Sequence, residues 1–311
     1  MRFLTDYTLV EFPKLGWKFN VYANLAEFTI PGWDIDVTIR FYGVIIAFGF
    51  ILAVLFGGRM AYKWKMSLDK MLDVLLYGTV AGIIGARIYY VIFEWNSYKD
   101  DLLSIFKIWE GGLAIYGGII GGIIAAYFVC KKNGLEFLKL LDLFGMSVLI
   151  GQGIGRWGNF TNQEAFGVNT DLPWGMWSEK VADYINVHYS TLVANGIEMD
   201  SSAPVHPTFL YESVWCLLGF LVLYIVCEHF RKFDGQLILG YGIIYGLERT
   251  VVEGLRTDSL YIGQTNIRVS QVLSLTIAVL CLIITIVKFV QIHRRNVYKV
   301  NEYKEKKNAD N

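Results

Sequence analysis

The sequence is poor in the residues that staple small secreted domains or bind metals. It holds four cysteines, Cys130, Cys216, Cys227 and Cys281, with no CxxC pair, and four scattered histidines without ligand spacing. A disulfide framework and a zinc site are therefore excluded, and no metal or cofactor is expected. Charge is also scarce, at 18% of residues against about 25% in ordinary soluble chains. Neither sign is in excess, with 28 basic and 28 acidic residues, so a nucleic-acid partner is not expected. Apolar residues are abundant instead. They make up 54% of 311 residues, with a mean hydropathy of +0.42. Domain-sized cores cannot bury that much apolar surface, and the same composition excludes disorder, collagen and a coiled coil. The chain reads as an integral membrane protein.

A hydrocarbon core of about 30 Å needs about 20 apolar helical residues. Runs of that kind fall at 41–58, 71–93, 112–130, 140–158, 209–228, 236–254 and 270–291. The fourth and sixth carry charges. Connections after the odd-numbered spans sum to +9, while the N-terminus and the other connections sum to −7. The basic side faces the cytoplasm by the positive-inside rule. The expected fold is an all-α membrane protein of seven transmembrane helices, with the N-terminus outside and the C-terminus inside. Residues 1–40 form an extracytoplasmic segment, a short amphipathic element rather than a cleavable signal peptide. Spans one to four cover 41–158, and an acidic cap with three of the five prolines covers 159–208. Spans five to seven cover 209–291, and 292–311 is a basic, solvated cytoplasmic tail.

Glycines number 31, and many sit four apart: Gly78/Gly82, Gly117/Gly121, Gly118/Gly122, Gly151/Gly155 and Gly242/Gly246. Small residues at that spacing let membrane helices approach closely. Ionisable residues inside a bilayer are costly and mark function. Under the topology above they share one outer depth: Arg87, Arg156 with Asn159, Tyr211 with Glu212, and Glu248, Arg249 and Glu253, with Tyr42 and Tyr116 at the same level. Taken singly, each has a plainer reading. Arg156 can snorkel, Arg249 can pair with Glu253, and Tyr42 and Tyr211 can be interfacial belt residues. Three arginines in one layer suit a phosphate, and in an outer leaflet that phosphate belongs to a lipid. A solute transporter would place polar groups near the midplane and show a repeat between its halves; neither is visible. A non-catalytic lipid-binding scaffold remains compatible with the arginines alone.

The stretch GRWGNFTNQEAFG (155–167) resembles the signature of the prolipoprotein diacylglyceryl transferase family, with Gly155, Arg156, Gly158, Asn159, Asn162, Glu164 and Gly167 at the family's spacing. GARIYYVIF (85–93), GGLAIYGG (111–118), HPTFLYES (206–213) and YGLERTVVEGLR (245–256) resemble its other motifs. The resemblance runs from about residue 40 to 290, and spares the N-terminus, 168–203 and the tail. It implies a multi-pass enzyme of the bacterial cell membrane that performs the first step of lipoprotein maturation. The diacylglyceryl group of phosphatidylglycerol passes to the lipobox cysteine of a prolipoprotein signal peptide, forming a thioether and releasing glycerol 1-phosphate. The partners implied are phosphatidylglycerol, that signal peptide and the surrounding membrane lipids.

On that reading Arg156 and Arg249 hold the phosphate and stabilise it as it leaves. Asn159, Asn162 and Glu164 bind headgroup hydroxyls or position Arg156. Glu253 and Arg256 shape the site, Gly167 permits close backbone approach, and Arg87 supports the site or adds a phosphate contact. Tyr42 and Tyr211 anchor lipid or peptide. Tyr116 stands where family members often carry histidine. A phenol is a weak base near neutral pH, so Tyr116 is a candidate either for the base or for orienting the headgroup. The reactive sulfur belongs to the substrate, not to the chain's own cysteines.

Overall fold

A computed structural model describes residues 2–31, 35–257 and 268–309; side chains are described for these except Glu110 and residues beyond 296. The chain divides into two compact units, one of residues 1–54 with 145–311, the other of residues 55–144.

The first unit opens with strands, not with the expected amphipathic element. β1 (Arg2–Phe12) and β2 (Trp17–Ile30) form an antiparallel hairpin closed over Pro13–Leu15, and β3 (Ile35–Arg40) pairs with β2. The expectation of an all-α chain is corrected here. The segment is rich in β-branched and aromatic residues, which suit a half-buried pleated surface. A proline opens its turn and Gly16 closes it at φ +69°, a conformation that favours glycine.

Helices follow. α1 (Phe41–Lys63) leads from the first unit into the second, which contains α2 (Leu68–Phe93), the single turn α3 (Trp95–Tyr98) and α4 (Ile115–Asn133). α5 (Phe137–Asn162) leads back. β4 (Trp177–Ser178) and α6 (Glu179–Ala194) make up the cap, and α7 (Thr208–Ile225), α8 (Gln236–Glu253) and α9 (Val269–Ala309) complete the first unit. The π-helical turn Val226–Phe230 extends α7.

Among the described residues, six helices are long and apolar enough to cross a membrane: α1, α2, α4, α5, α7 with its extension, and α9. α8 is helical where the sixth span is expected, but its 18 residues include Glu248, Arg249 and Glu253, and it is not among the six. α9 continues through the expected tail as helix to Ala309, where side chains lie outside the described residues. Only 6% of its apolar window is buried, against 44% in α5. A helix apolar all round yet unburied suits lipid; α5, the most enclosed of the six, carries Arg156.

In the second unit α2 and α4 meet backbone to backbone. A Cβ on Gly85 would lie 2.5 Å from the carbonyl oxygen of Gly117, and one on Gly117 2.3 Å from that of Gly85. No side chain fits that crossing, the outcome expected of small residues four apart.

The cap is not a separate structure. β4 pairs with β1 at Val10/Ser178 and Glu11/Trp177, giving a sheet of order β3-β2-β1-β4. Such a short ladder contributes about 1 kcal/mol net per hydrogen bond. Burial of Val10, Met176, Val181, Ile185 and Val205 in one apolar cluster contributes roughly 1.5–3 kcal/mol for each larger side chain. The shared core, not the ladder, therefore joins the N-terminal hairpin to the cap.

Candidate active site

α5, α7 and α8 bring the arginines of the first unit onto one carboxylate. Glu212, in the first turns of α7, is fully buried. Arg156 forms an ion pair with its Oε2. Arg249 reaches the same oxygen at 3.8 Å, and Arg256 reaches Oε1 at 3.6 Å. Arg249 also pairs with Glu253, four residues on along α8, at 2.5 Å. The hub is sealed, but Arg156 and Arg249 keep 18% and 19% of their side-chain surface open. A carboxylate accepts about four hydrogen bonds, and three guanidiniums offer about fifteen donors. The cluster can therefore present N–H groups to an arriving anion.

Glu212 was visible in the sequence as one of the outer-layer charges but carried no assigned role. HPTFLYES places it one helical turn past Thr208, and only the fold shows three arginines sharing it. Glu248 is also buried, at 2% exposure, and its carboxylate accepts no hydrogen bond among the described residues.

The loop after α5 is locked to this cluster. Asn159 donates to Glu164 Oε1 at 2.9 Å and Asn162 to the same oxygen at 3.3 Å, uniting three residues expected to act together. Gln163 and Ala165 hold positive φ, +54° and +57°, conformations that cost about 1–3 kcal/mol each outside glycine. Two backbone bonds and one from a side chain hold the turn: Gly167 N–H to His206 O at 2.9 Å, Val168 N–H to Leu255 O at 2.9 Å, and the Thr208 hydroxyl to Ala165 O. A Cβ on Gly167 would lie 2.8 Å from that of His206 and 3.1 Å from Leu255 O. This strand-like seam fixes the end of α8 beside the loop and so aims Arg256 at Glu212.

The tyrosines take separate places. The Tyr42 ring lies against Gly158, where a Cβ would come within 2.8 Å of Cδ2. The Tyr211 hydroxyl accepts from Trp174 Nε1 at 2.8 Å and shares a hydrogen bond with His206 Nδ1 at 3.0 Å. Burial holds the His206 imidazole below its usual pKa. Tyr116 lies in the second unit, partly exposed, its ring tilted against Tyr89 at 6.5 Å.

Arg87 also lies in the second unit, and its donors are taken. Nε donates to Ile105 O at 2.8 Å; Nη1 to Gly111 O and Gly112 O at 2.7 and 2.9 Å; Nη2 to Ser104 O at 2.7 Å and Lys107 O at 3.5 Å. Its guanidinium also lies 5.0 Å from the Tyr98 ring centre. Gly112 sits at φ +74°, where a Cβ would meet Arg87 Nη1 at 2.4 Å. The phosphate contact considered for Arg87 thus meets a guanidinium already committed to a loop.

Long apolar helices, with three largely enclosed arginines gathered on one buried carboxylate, define the class as a membrane protein. The comparisons narrow the class. The profile of the family described as prolipoprotein diacylglyceryl transferase matches residues 32–287. The chain is 44% identical over 261 residues to the phosphatidylglycerol–prolipoprotein diacylglyceryl transferase of Finegoldia magna, covering 84% of this chain and 94% of that protein. It is 42% identical to the enzyme of that name from Listeria monocytogenes, over 83% of this chain and 88% of the relative. It is 40% identical to that of Thermotoga maritima, over 81% and 80%. The chain belongs to the prolipoprotein diacylglyceryl transferase family.

Proposed function

We infer that the chain transfers the diacylglyceryl group of phosphatidylglycerol to the cysteine thiol of prolipoproteins, the first step of lipoprotein maturation, and that the arginine cluster on Glu212 is where the phosphate leaves. In the reaction the substrate sulfur bonds to the glycerol carbon of the diacylglyceryl group as the carbon–oxygen bond to phosphate breaks. The electron pair of that bond goes to the phosphate, and the thiol proton balances the new glycerol 1-phosphate. Charge therefore builds on the phosphate oxygens as the bond breaks. Donors already fixed in a water-poor site stabilise such charge without reorganising.

The observation that carries this reading is the sharing of one sealed carboxylate by Arg156, Arg249 and Arg256. Glu212 and Glu253 set the guanidinium planes, and the open edges of Arg156 and Arg249 take the phosphate bidentately. The positive field also favours the thiolate of the acceptor, whose thiol titrates near about 8.5 when unperturbed. Asn159, Asn162 and Glu164 bind the headgroup hydroxyls, and Tyr42 and Tyr211 anchor lipid or peptide. Tyr116 stays a candidate for orienting the headgroup or taking the thiol proton, and Tyr116→Phe tests its hydroxyl. Arg87 acts by holding the 104–112 loop.

The charge separation along the sequence supports α8 as a seventh span, with the N-terminal sheet and the cap outside the cell and the C-terminus inside. The lipobox cysteine then meets the site at outer-leaflet depth. Arg156→Lys is the direct test, with lipidation of a lipobox peptide assayed in phosphatidylglycerol micelles. Lysine keeps the charge but not the fork, so turnover should fall about a hundredfold. Near-normal turnover removes the bidentate role.

A further inference from the structure

Beyond the arginine cluster, the first unit has a cavity of about 570 Å³ whose walls come from the strands, the loop after α5 and the cap. Arg40 ends β3, Lys180 is the second residue of α6, Asp6 lies in β1, and Asn162, Glu164 and Thr257 come from the segments that carry the site. Thr257 directly follows Arg256, and Glu164 is the acceptor for Asn159 and Asn162. The cavity thus shares its wall with the loop and helix end that position the arginines. It lies outside the six apolar helices, apart from Asn162 at the last residue of α5.

The lining is mixed in a particular way. Arg40 and Lys180 are exposed and make no ion pair among the described residues. Asp6 and Glu164 offer carboxylate acceptors in the same cavity. Gln163, 4% exposed in the wall, donates to Phe160 O and leaves Oε1 without a donor among the described residues. Two exposed cations that no described carboxylate pairs favour an anion, and the Asp6 carboxylate beside them can accept from hydroxyls. A phosphorylated polyol supplies both.

The transfer reaction makes such a molecule. Removing the diacylglyceryl group from phosphatidylglycerol leaves glycerol phosphate, which carries two hydroxyls and about −1.5 to −2 charge near neutral pH. It starts on three arginines, where it is held by charge-assisted bonds, and it must reach water before another lipid enters. We propose that this cavity is a release vestibule for glycerol phosphate, with Arg40 and Lys180 taking the phosphate and Asp6 the hydroxyls. The proposal rests on the arginine site as the place of phosphate departure. Part of the wall, Asp6 and Asn24, lies before residue 32, where the family match begins. The vestibule is therefore built in part from a hairpin that the family profile does not cover.

The test is product inhibition in the full-length enzyme in nanodiscs, with glycerol 1-phosphate added to the lipidation assay. In the double variant Arg40→Gln/Lys180→Gln, the inhibition constant should rise about tenfold or more, as loss of hydrogen bonds to a charged ligand predicts. The KM for phosphatidylglycerol should stay within about twofold. An unchanged inhibition constant overturns the proposal. A parallel rise in the KM for phosphatidylglycerol also overturns it, since the cavity would then hold the lipid's headgroup before reaction. Calorimetric binding of glycerol 1-phosphate to Arg156→Lys separates this from the reaction reading. Binding there that is lost on adding the double substitution supports the vestibule whether or not Arg156→Lys still turns over. Binding indifferent to the double substitution sinks the vestibule alone.

Discussion

Arg87 and Arg156 are both arginines inside apolar helices, and their surroundings separate them. Arg87 spends its donors on carbonyls of a single loop, residues 104–112, and accepts a glycine-only turn to do so. Its charge meets the neutral dipoles of backbone carbonyls. Arg156 meets a carboxylate that Arg249 and Arg256 share, and keeps an open edge. The first arrangement is complete without a ligand. The second, on the function proposed above, is completed by the phosphate of the lipid substrate.

The sharpest break of this contrast is at the hub. Glu212→Gln keeps the shape but removes the charge that gathers three guanidiniums, and mutual repulsion then spreads them. Turnover should fall about a hundred- to a thousandfold, the cost of losing fixed donors at a developing anion. Breaking a buried ion network by one partner also destabilises by about 3–5 kcal/mol, so rates are compared per folded molecule. An active Glu212→Gln enzyme removes the hub from the mechanism.

Arg87→Met should do the reverse. Five carbonyls lose their donor, and those of Gly111 and Gly112 are fixed by positive φ. Part of the loop regains water, leaving a net cost of about 3 kcal/mol and a melting midpoint lower by about 5–10 °C. Lipidation per folded molecule should stay within about threefold. A hundredfold loss in turnover with an unchanged melting point would return Arg87 to the site.

The same contrast explains what the sequence could show. Six of the seven expected spans, the close-packed glycines and the signature residues were legible because each depends on local spacing: Asn159, Asn162 and Glu164 come together on one helix end and its loop. The fate of Arg87 was not legible, since its partners are backbone carbonyls, which every residue possesses. Glu212 was hidden for a different reason. A carboxylate at a helix start looks like any interfacial charge until three helices converge on it. The hairpin had a readable signal, a β-rich run around a turn bounded by Pro13 and Gly16, but its packing on the cap depends on Val10 meeting Met176 and Val205 across more than 160 residues of chain.

The smallest effect should come from the seam that holds the signature loop. Burial lowers the His206 pKa, so on acidification the unfolded chain binds a proton there before the folded one does. The sign follows: the loop's stability is complete above about pH 6.5, the unperturbed imidazole value, and declines as pH falls below it. Asp200 does not confuse the window, because hydrogen bonds from Ser202 lower its carboxyl pKa and keep it ionised there. Hydrogen exchange at Gly167 and Val168, whose amides bond to His206 O and Leu255 O, reads the seam directly. Protection should drop by less than about tenfold between pH 7 and 5, and His206→Asn, which keeps a partner for the Tyr211 hydroxyl without a titrating group, should flatten that slope. An equal slope in the variant would place the pH response elsewhere in the chain.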